Sequence, residues 1–237
     1  MTDLHLFNGE KGGVGKSFVC RTMIAYHLHN DIDFAAFDVD RSNADVLRIY
    51  GKKANCKAAI LSEADKYDDA ANIVFNTALD GQRVLVNLPA QSMPSLKQWI
   101  ELNELFEVAK EGDVRFVNWF VSDCGLDSLK LFSEQLDLWG EDMLHVFVAN
   151  YGMTERWDRL KQDKALMNRM KDGGVKLLKF PKFIGRADRD LIDELSLTFD
   201  EAKAHDDLGA IGRQHVKSFL RKAFAEFDRV GVLTDGE

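Results

Sequence analysis

Short apolar runs alternate with amphipathic stretches from one end of the chain to the other. Leu4–Asn8, Phe34–Asp38, Arg83–Leu88, Val114–Val121, Met143–Ala149 and Val175–Phe180 have the length and the β-branched or aromatic content of strands. Several are apolar on both faces, Val114-Arg-Phe-Val-Asn-Trp-Phe-Val121 most clearly, as strands are when helices cover both sides of a sheet. Between them, apolar residues at helical spacing predict helices over roughly 17–29, 68–79, 94–110, 126–138 and 155–171, with two more near 187–205 and 209–229. Strand and helix alternating throughout predict an α/β fold with a doubly wound, mostly parallel sheet, whose ligands sit at the carboxyl ends of the strands. No repeat, low-complexity tract or Pro-rich linker interrupts the pattern, so residues 1–237 read as a single domain.

Composition narrows the class. No run approaches the roughly 20 apolar residues of a membrane span, and the N-terminus enters a strand at once, so neither a membrane partner nor a signal peptide is expected. Cys20, Cys56 and Cys124 are scattered and odd in number, which fits reduced thiols in a cytoplasmic protein rather than disulfides or a cluster. The net charge of −8 is uneven: residues 151–190 hold 11 Lys and Arg against 6 Asp and Glu. Such a segment either contacts phosphate backbone or forms the solvated faces of helices, and composition leaves both readings open. The last helix also has two readings. Its stripe of Ile211, Val216, Phe219, Leu220, Phe224 and Phe227 suits docking on the sheet, and faintly resembles a membrane-targeting helix; Glu226 and Asp228 favour docking.

The chemistry is concentrated at Phe7-Asn-Gly-Glu-Lys-Gly-Gly-Val-Gly-Lys-Ser17. A phosphate-binding loop cradles anions in successive backbone N–H groups, so it places glycines where the chain turns tightly. Gly12, Gly13 and Gly15 supply that freedom, Lys16 reaches the β- and γ-phosphates, and the Ser17 hydroxyl is a magnesium ligand. The strict motif asks for Gly where this chain has Glu10, whereas Lys11 to Ser17 fits a deviant form with a second, early lysine. A strand before the loop and a helix after it aim a helix N-terminus at the anion.

These residues resemble the ParA/MinD family of deviant Walker ATPases. Ala36-Phe-Asp-Val-Asp40 is similar to that family's first switch segment, and Arg83-Val-Leu-Val-Asn-Leu-Pro-Ala90 falls where its Walker B strand does. His145-Val-Phe-Val-Ala-Asn150 looks like the strand whose terminal Asn faces adenine, and Lys179-Phe-Pro181 resembles the last strand and its base-contacting loop. The resemblance implies that Lys11, Gly12, Gly13, Val14, Gly15, Lys16, Ser17, Phe18, Asn150 and Pro181 bind nucleotide. It implies a magnesium shell of Ser17, Asp38, Asp40 and Asn87, and catalysis by Lys16, by Asp40 on the attacking water, and by Lys11 across a nucleotide-sandwich dimer. Two positions depart from the family. Asn87 replaces the Walker B aspartate, which removes a negative charge, and Phe18 stands where a second hydroxyl residue often follows the magnesium ligand.

The implied function is a slow ATPase, with ATP and Mg2+ as cofactors, that forms a nucleotide-dependent homodimer in plasmid or DNA partition, stability or mobilisation. DNA or a DNA-bound protein is the expected further partner. No segment for a helix-turn-helix precedes the first strand. A ligase of the dethiobiotin-synthetase or cobyric-acid type is one alternative, and a weakly hydrolysing nucleotide-binding adaptor, motivated by Asn87, is another.

Overall fold

The computed structural model describes residues 1–62, 64 and 69–233. Seven strands, β1 (Thr2–Asn8), β2 (Ala35–Asp38), β3 (Lys57–Ala58), β4 (Val84–Asn87), β5 (Val114–Ser122), β6 (Leu144–Asn150) and β7 (Lys176–Phe180), pair in parallel in the order β3-β2-β4-β1-β5-β6-β7. β1 is therefore the central strand, and its carboxyl end opens into the glycine loop.

Side chains alternate between the two faces at the strand period. Phe7, Leu85, Val117 and Trp119 face a layer of α1 (Lys16–His29), α2 (Asp45–Tyr50), α9 (Arg186–Glu194), α10 (Phe199–Ala202) and α11 (Gly209–Val230). Leu4, Leu6, Val84, Val86 and Phe116 face the opposite layer, which starts with α3 (Asn72–Leu79), α4 (Met93–Leu102) and α5 (Leu105–Glu111). That layer continues over Phe120 and Phe147 with α6 (Leu126–Trp139), α7 (Asp158–Gln162) and α8 (Lys164–Asp172). In α11, Val216, Phe219, Leu220 and Phe227 are buried against the sheet, as docking requires. Ile211 falls outside that stripe and is 71% exposed. Glu226 and Arg229 of the same helix close the edge of β7, accepting from Lys179 N at 2.9 Å and donating to Leu177 O at 2.6 Å.

Three expected helices are divided, each for a visible reason. The 94–110 stretch is α4 and α5, broken where Glu104 takes a left-handed conformation (φ 48°). The buried set jumps from Ile100 to Leu105, five positions and off-phase for one helix, so the break restores a common buried face. The 155–171 stretch restarts at Asp163, whose side chain caps α8 by accepting from Leu166 N at 3.0 Å. The 187–205 stretch restarts at Thr198, which forms a capping box with Glu201. The short α2 and β3 were not expected. The helix expected from 68 runs from Asn72, and position 68 itself lies outside the described residues.

Candidate functional site

Residues 9–15 turn between the end of β1 and the start of α1. Gly15 is left-handed (φ 100°), and a Cβ there would lie 2.5 Å from Asn150 Nδ2, so only glycine closes the loop onto β6. A Cβ on Gly9 would meet Val121 O at 2.7 Å, so Gly9 lets the loop cross β5 closely. Glu10, one residue later, is half-buried, and burial pushes its carboxyl pKa up.

The two lysines of the loop have different environments. Lys16 is buried, its Nζ donating to Gly9 O at 2.8 Å and Lys11 O at 3.3 Å. Burial lowers its pKa, and the charges of Asp40 and Glu10 oppose that shift. Lys11 extends to Asp123 at the end of β5, Nζ to Oδ2 2.7 Å, with its side chain 52% exposed and that of Asp123 16%. Asp123 Oδ1 also accepts from Gly125 N at 2.9 Å.

Beside the loop, parallel pairing sets Asp38 of β2 directly alongside Asn87 of β4. Asn87 Nδ2 donates to Asp38 Oδ1 at 2.9 Å and approaches Ser17 Oγ at 3.4 Å. Asp38 further accepts from Asp40 N (3.2 Å) and Leu47 N (2.9 Å). Burial raises the Asp38 pKa, and these hydrogen bonds counter it. Asp40 uses Oδ1 for Ser42 N, Ser42 Oγ and Asn43 N at 3.0, 2.6 and 3.0 Å. Among the described residues, no group of three or more His, Cys, Asp or Glu is placed to hold a metal ion. The oxygens at hand are Ser17 Oγ, Asp40 and Asn87 Oδ1, the last buried without a hydrogen-bond partner. Such a sparse, hard-oxygen set fits magnesium, which keeps several of its waters and binds through one or two protein groups plus phosphates.

Two cavities flank the loop. One, of about 540 Å3, is lined by Gly12, Gly13, Gly15, Lys16, Ser17, Phe18 and Asp40, and by Pro89 and Gln91 opposite. The other, of about 490 Å3, is lined by Gly13, Gly15, Phe18, Asn150, Pro181 and Phe183 among others. The expected residues thus gather on one end of the sheet, although Asp38 and Asn87 are buried beneath it. Val14 is buried, and its carbonyl accepts from Asn150 Nδ2 at 2.7 Å. Asn150 Oδ1 accepts from Gly152 N at 2.9 Å, so its amide ties the loop to the turn that follows β6. The Phe18 ring packs among Phe180, Phe183, Phe199 and Phe219 at 5.3–6.3 Å between centroids. Arg189, from the basic stretch, lines the first cavity, and so does Arg21, which was not anticipated. Arg21 is buried, pairs with Asp193 at 2.6 Å and lies over the Phe18 and Phe199 rings. A charge inside the apolar run Phe18–Ala25 was the available signal.

The basic stretch 151–190 is partly neutralised, by its own carboxylates and by Asp137 of α6. Lys161 meets Asp158 at 3.8 Å, Arg169 meets Asp137 at 2.6 Å, Lys182 meets Glu155 at 3.1 Å, and Arg186 and Arg189 share Asp190.

Comparison with known proteins gives distant relatives. Protein MobD of Acidithiobacillus ferrooxidans is 25% identical over 189 residues, 79% of this chain and 81% of that protein. Protein TraL of Escherichia coli is 23% identical over 245 residues, 98% of this chain and all of that protein. Among solved structures, a nucleotide-binding protein of Archaeoglobus fulgidus in complex with ADP matches 81% of this chain and 86% of its own, at 13% identity and a TM-score of 0.43. No protein-family model matches the chain.

Proposed function

We propose that this protein is an ATP-binding and ATP-hydrolysing molecular switch that dimerises around nucleotide and serves plasmid or DNA partition, stability or mobilisation. The observation that carries the reading is the position of the two lysines. Both belong to one glycine turn at the carboxyl end of the central strand, between two cavities, with Lys16 folded inward and Lys11 directed outward.

In this reading the loop N–H groups and Lys16 hold the β- and γ-phosphates, and the base occupies the cavity lined by Pro181 and Phe183. Asn150 keeps the loop in shape from behind. Ser17, Asp40 and Asn87 Oδ1 would hold magnesium and its waters, and the cation, when bound, would neutralise charge on the transferred phosphoryl group. Asp40, on the cavity wall, orients the attacking water. Lys11 of one copy reaches the phosphates of the second, where a positioned cation stabilises developing charge.

Light-scattering mass and ATP turnover measured together test this, with and without DNA. ATP should double the mass, and DNA should stimulate turnover. An unchanged mass with ATP sinks the switch. Turnover that appears only with a small carboxylic acid would point to the ligase class. A second reading, a nucleotide-binding adaptor, is favoured by the neutral Asn87, and ATP-dependent dimerisation with no turnover would select it.

A further inference from the structure

We propose that Asn87 is a positioning residue: with Asp38 it forms an amide–carboxylate brace that presets the Asp40 loop without a cation. The inference rests on the nucleotide-switch reading only for the role of Asp40; the brace itself stands on geometry.

The β2–β4 register puts side chains 38 and 87 next to each other at full burial. Two carboxylates this close, 2.9 Å apart, would need a shared proton or a divalent cation between them. An amide needs neither, because its N–H group donates to the carboxylate. That donation also fixes the amide's orientation. Turned over, Asn87 would bring its carbonyl oxygen against the Asp38 oxygen, which no hydrogen bond could join.

Held in this way, Asp38 acts as a strut. It accepts from Asp40 N and Leu47 N, so one carboxylate ties the start of the 39–44 loop to the first turn of α2. Asp40 lines the cavity, whereas Asp38 does not. The remaining Asn87 atom, Oδ1, is the unpartnered acceptor, and it suits a water on magnesium. The chain has divided a task between two residues. Asp38 carries the charge and sets the loop, and Asn87 offers a neutral acceptor and keeps Asp38 in place.

Restoring a carboxylate at position 87 should therefore harm the protein in the absence of metal. In EDTA and without nucleotide, Asn87→Asp should melt roughly 5 °C below the parent. Millimolar MgCl2 should return most of that loss while leaving the parent's melting unmoved. The exchanged pair, Asp38→Asn with Asn87→Asp, keeps one amide and one carboxylate and should recover stability in EDTA. Asn87→Ala, which removes the donor without adding charge, should speed hydrogen exchange at the Leu47 and Asp40 amides about tenfold. The brace is overturned by Asn87→Asp melting like the parent in EDTA, by a loss that Mg2+ does not restore, or by exchange at Leu47 unchanged in Asn87→Ala. None of these readouts needs ATP, so failure of the parent to bind ATP would refute the switch and leave the brace untouched.

Discussion

At the amino ends of the central strands, Asp3 is gripped by Arg115 through hydrogen bonds of 2.7 and 2.9 Å, with Arg83 3.9 Å away. His5 and His27 lie beside that pair, their rings 6.4 Å apart, and Trp119 donates to His5 Nδ1 at 3.0 Å. At the carboxyl ends of the same strands, Asp40 keeps Oδ2 without a hydrogen bond among the described residues, Asn87 keeps a spare acceptor, and Lys16 is held only by backbone carbonyls. Both ends bury polar groups. At the amino end the capacity left over, Nε2 of His5 and of His27, is sealed in the core, whereas at the carboxyl end Asp40 and Lys16 keep theirs on the wall of a cavity. Spare capacity in a buried polar group lowers stability, and where it borders a cavity a ligand can supply the missing partner.

The amino end can be broken with acid, and this is the largest effect expected. Burial lowers the pKa of His5 well below its usual value and that of His27 to about 4. Unfolded histidines titrate near 6.5, so the unfolded chain binds more protons between the two values. The stability of the neutral pair is complete above about pH 6.5 and is lost as pH falls toward 4. His27 alone accounts for about 3 kcal/mol, or roughly 6–12 °C of melting temperature. Glu10 and Asp38, whose carboxyl pKa values are raised, act in the opposite direction, because acid relieves their buried charge. Melting curves from pH 7.5 to 4.5 should fall steeply, and His27→Gln should flatten them. A parent whose melting temperature stays level to pH 4.5 would show that the two ends do not differ in this way.

The two loop lysines at the carboxyl end should respond to substitution in binding rather than stability. Lys16→Ala should lose about 1.5–3 kcal/mol of nucleotide affinity, ten- to a hundredfold, while its acid melting profile matches the parent's. Lys11→Ala should keep most of the affinity of a single copy yet lose ATP-induced dimerisation and turnover together. Titration calorimetry and sedimentation separate the two. If Lys11→Ala dimerises and hydrolyses like the parent, Lys11 is an ordinary loop residue.

What was legible in the sequence was local. Gly12 to Ser17 is contiguous, so spacing located it, whereas Asp38 and Asp40, at and just past the end of β2, were singled out through the family resemblance. Six of the seven strands were legible as contiguous runs too, most clearly β5, whose burial on both faces writes an apolar run, whereas the two-residue, exposed β3 was not. Contacts set by strand order were not legible in the spacing, and only the resemblance put Asp38 and Asn87 in one magnesium shell. Asp38 meets Asn87 only because β4 inserts between β2 and β1, and Asp123 meets Lys11 across 112 positions. The helix breaks lay between these cases. Thr198-x-x-Glu201 is a readable capping box, and the jump from Ile100 to Leu105 a readable change of phase, but both were masked by the general amphipathicity of their surroundings.

The smallest effect concerns the Lys11–Asp123 pair, and it sharpens the comparison most. The amino-end pair of Asp3 and Arg115 is bidentate and its carboxylate is buried, whereas Lys11 is joined to Asp123 by a single contact from a half-exposed side chain. Hydrogen bonding to Asp123 holds the Lys11 ammonium above its usual pKa, and Asp123 is correspondingly held below its own. Exposed ion pairs are screened and weak, so Lys11 should exchange one anion for another at little cost. If a second copy's phosphates are the competing anion, Asp123→Asn should release Lys11 and tighten ATP-dependent dimerisation, by less than about fivefold. The gain should shrink as salt rises from 0.05 to about 0.5 M, because salt already weakens the competitor in the parent. Affinity for a single nucleotide on a single copy should not change, since Lys16 and the loop N–H groups are untouched. If Asp123→Asn instead weakens dimerisation, Asp123 contributes to the assembled interface itself, and Lys11 is held by Asp123 in the dimer as well as in the single chain.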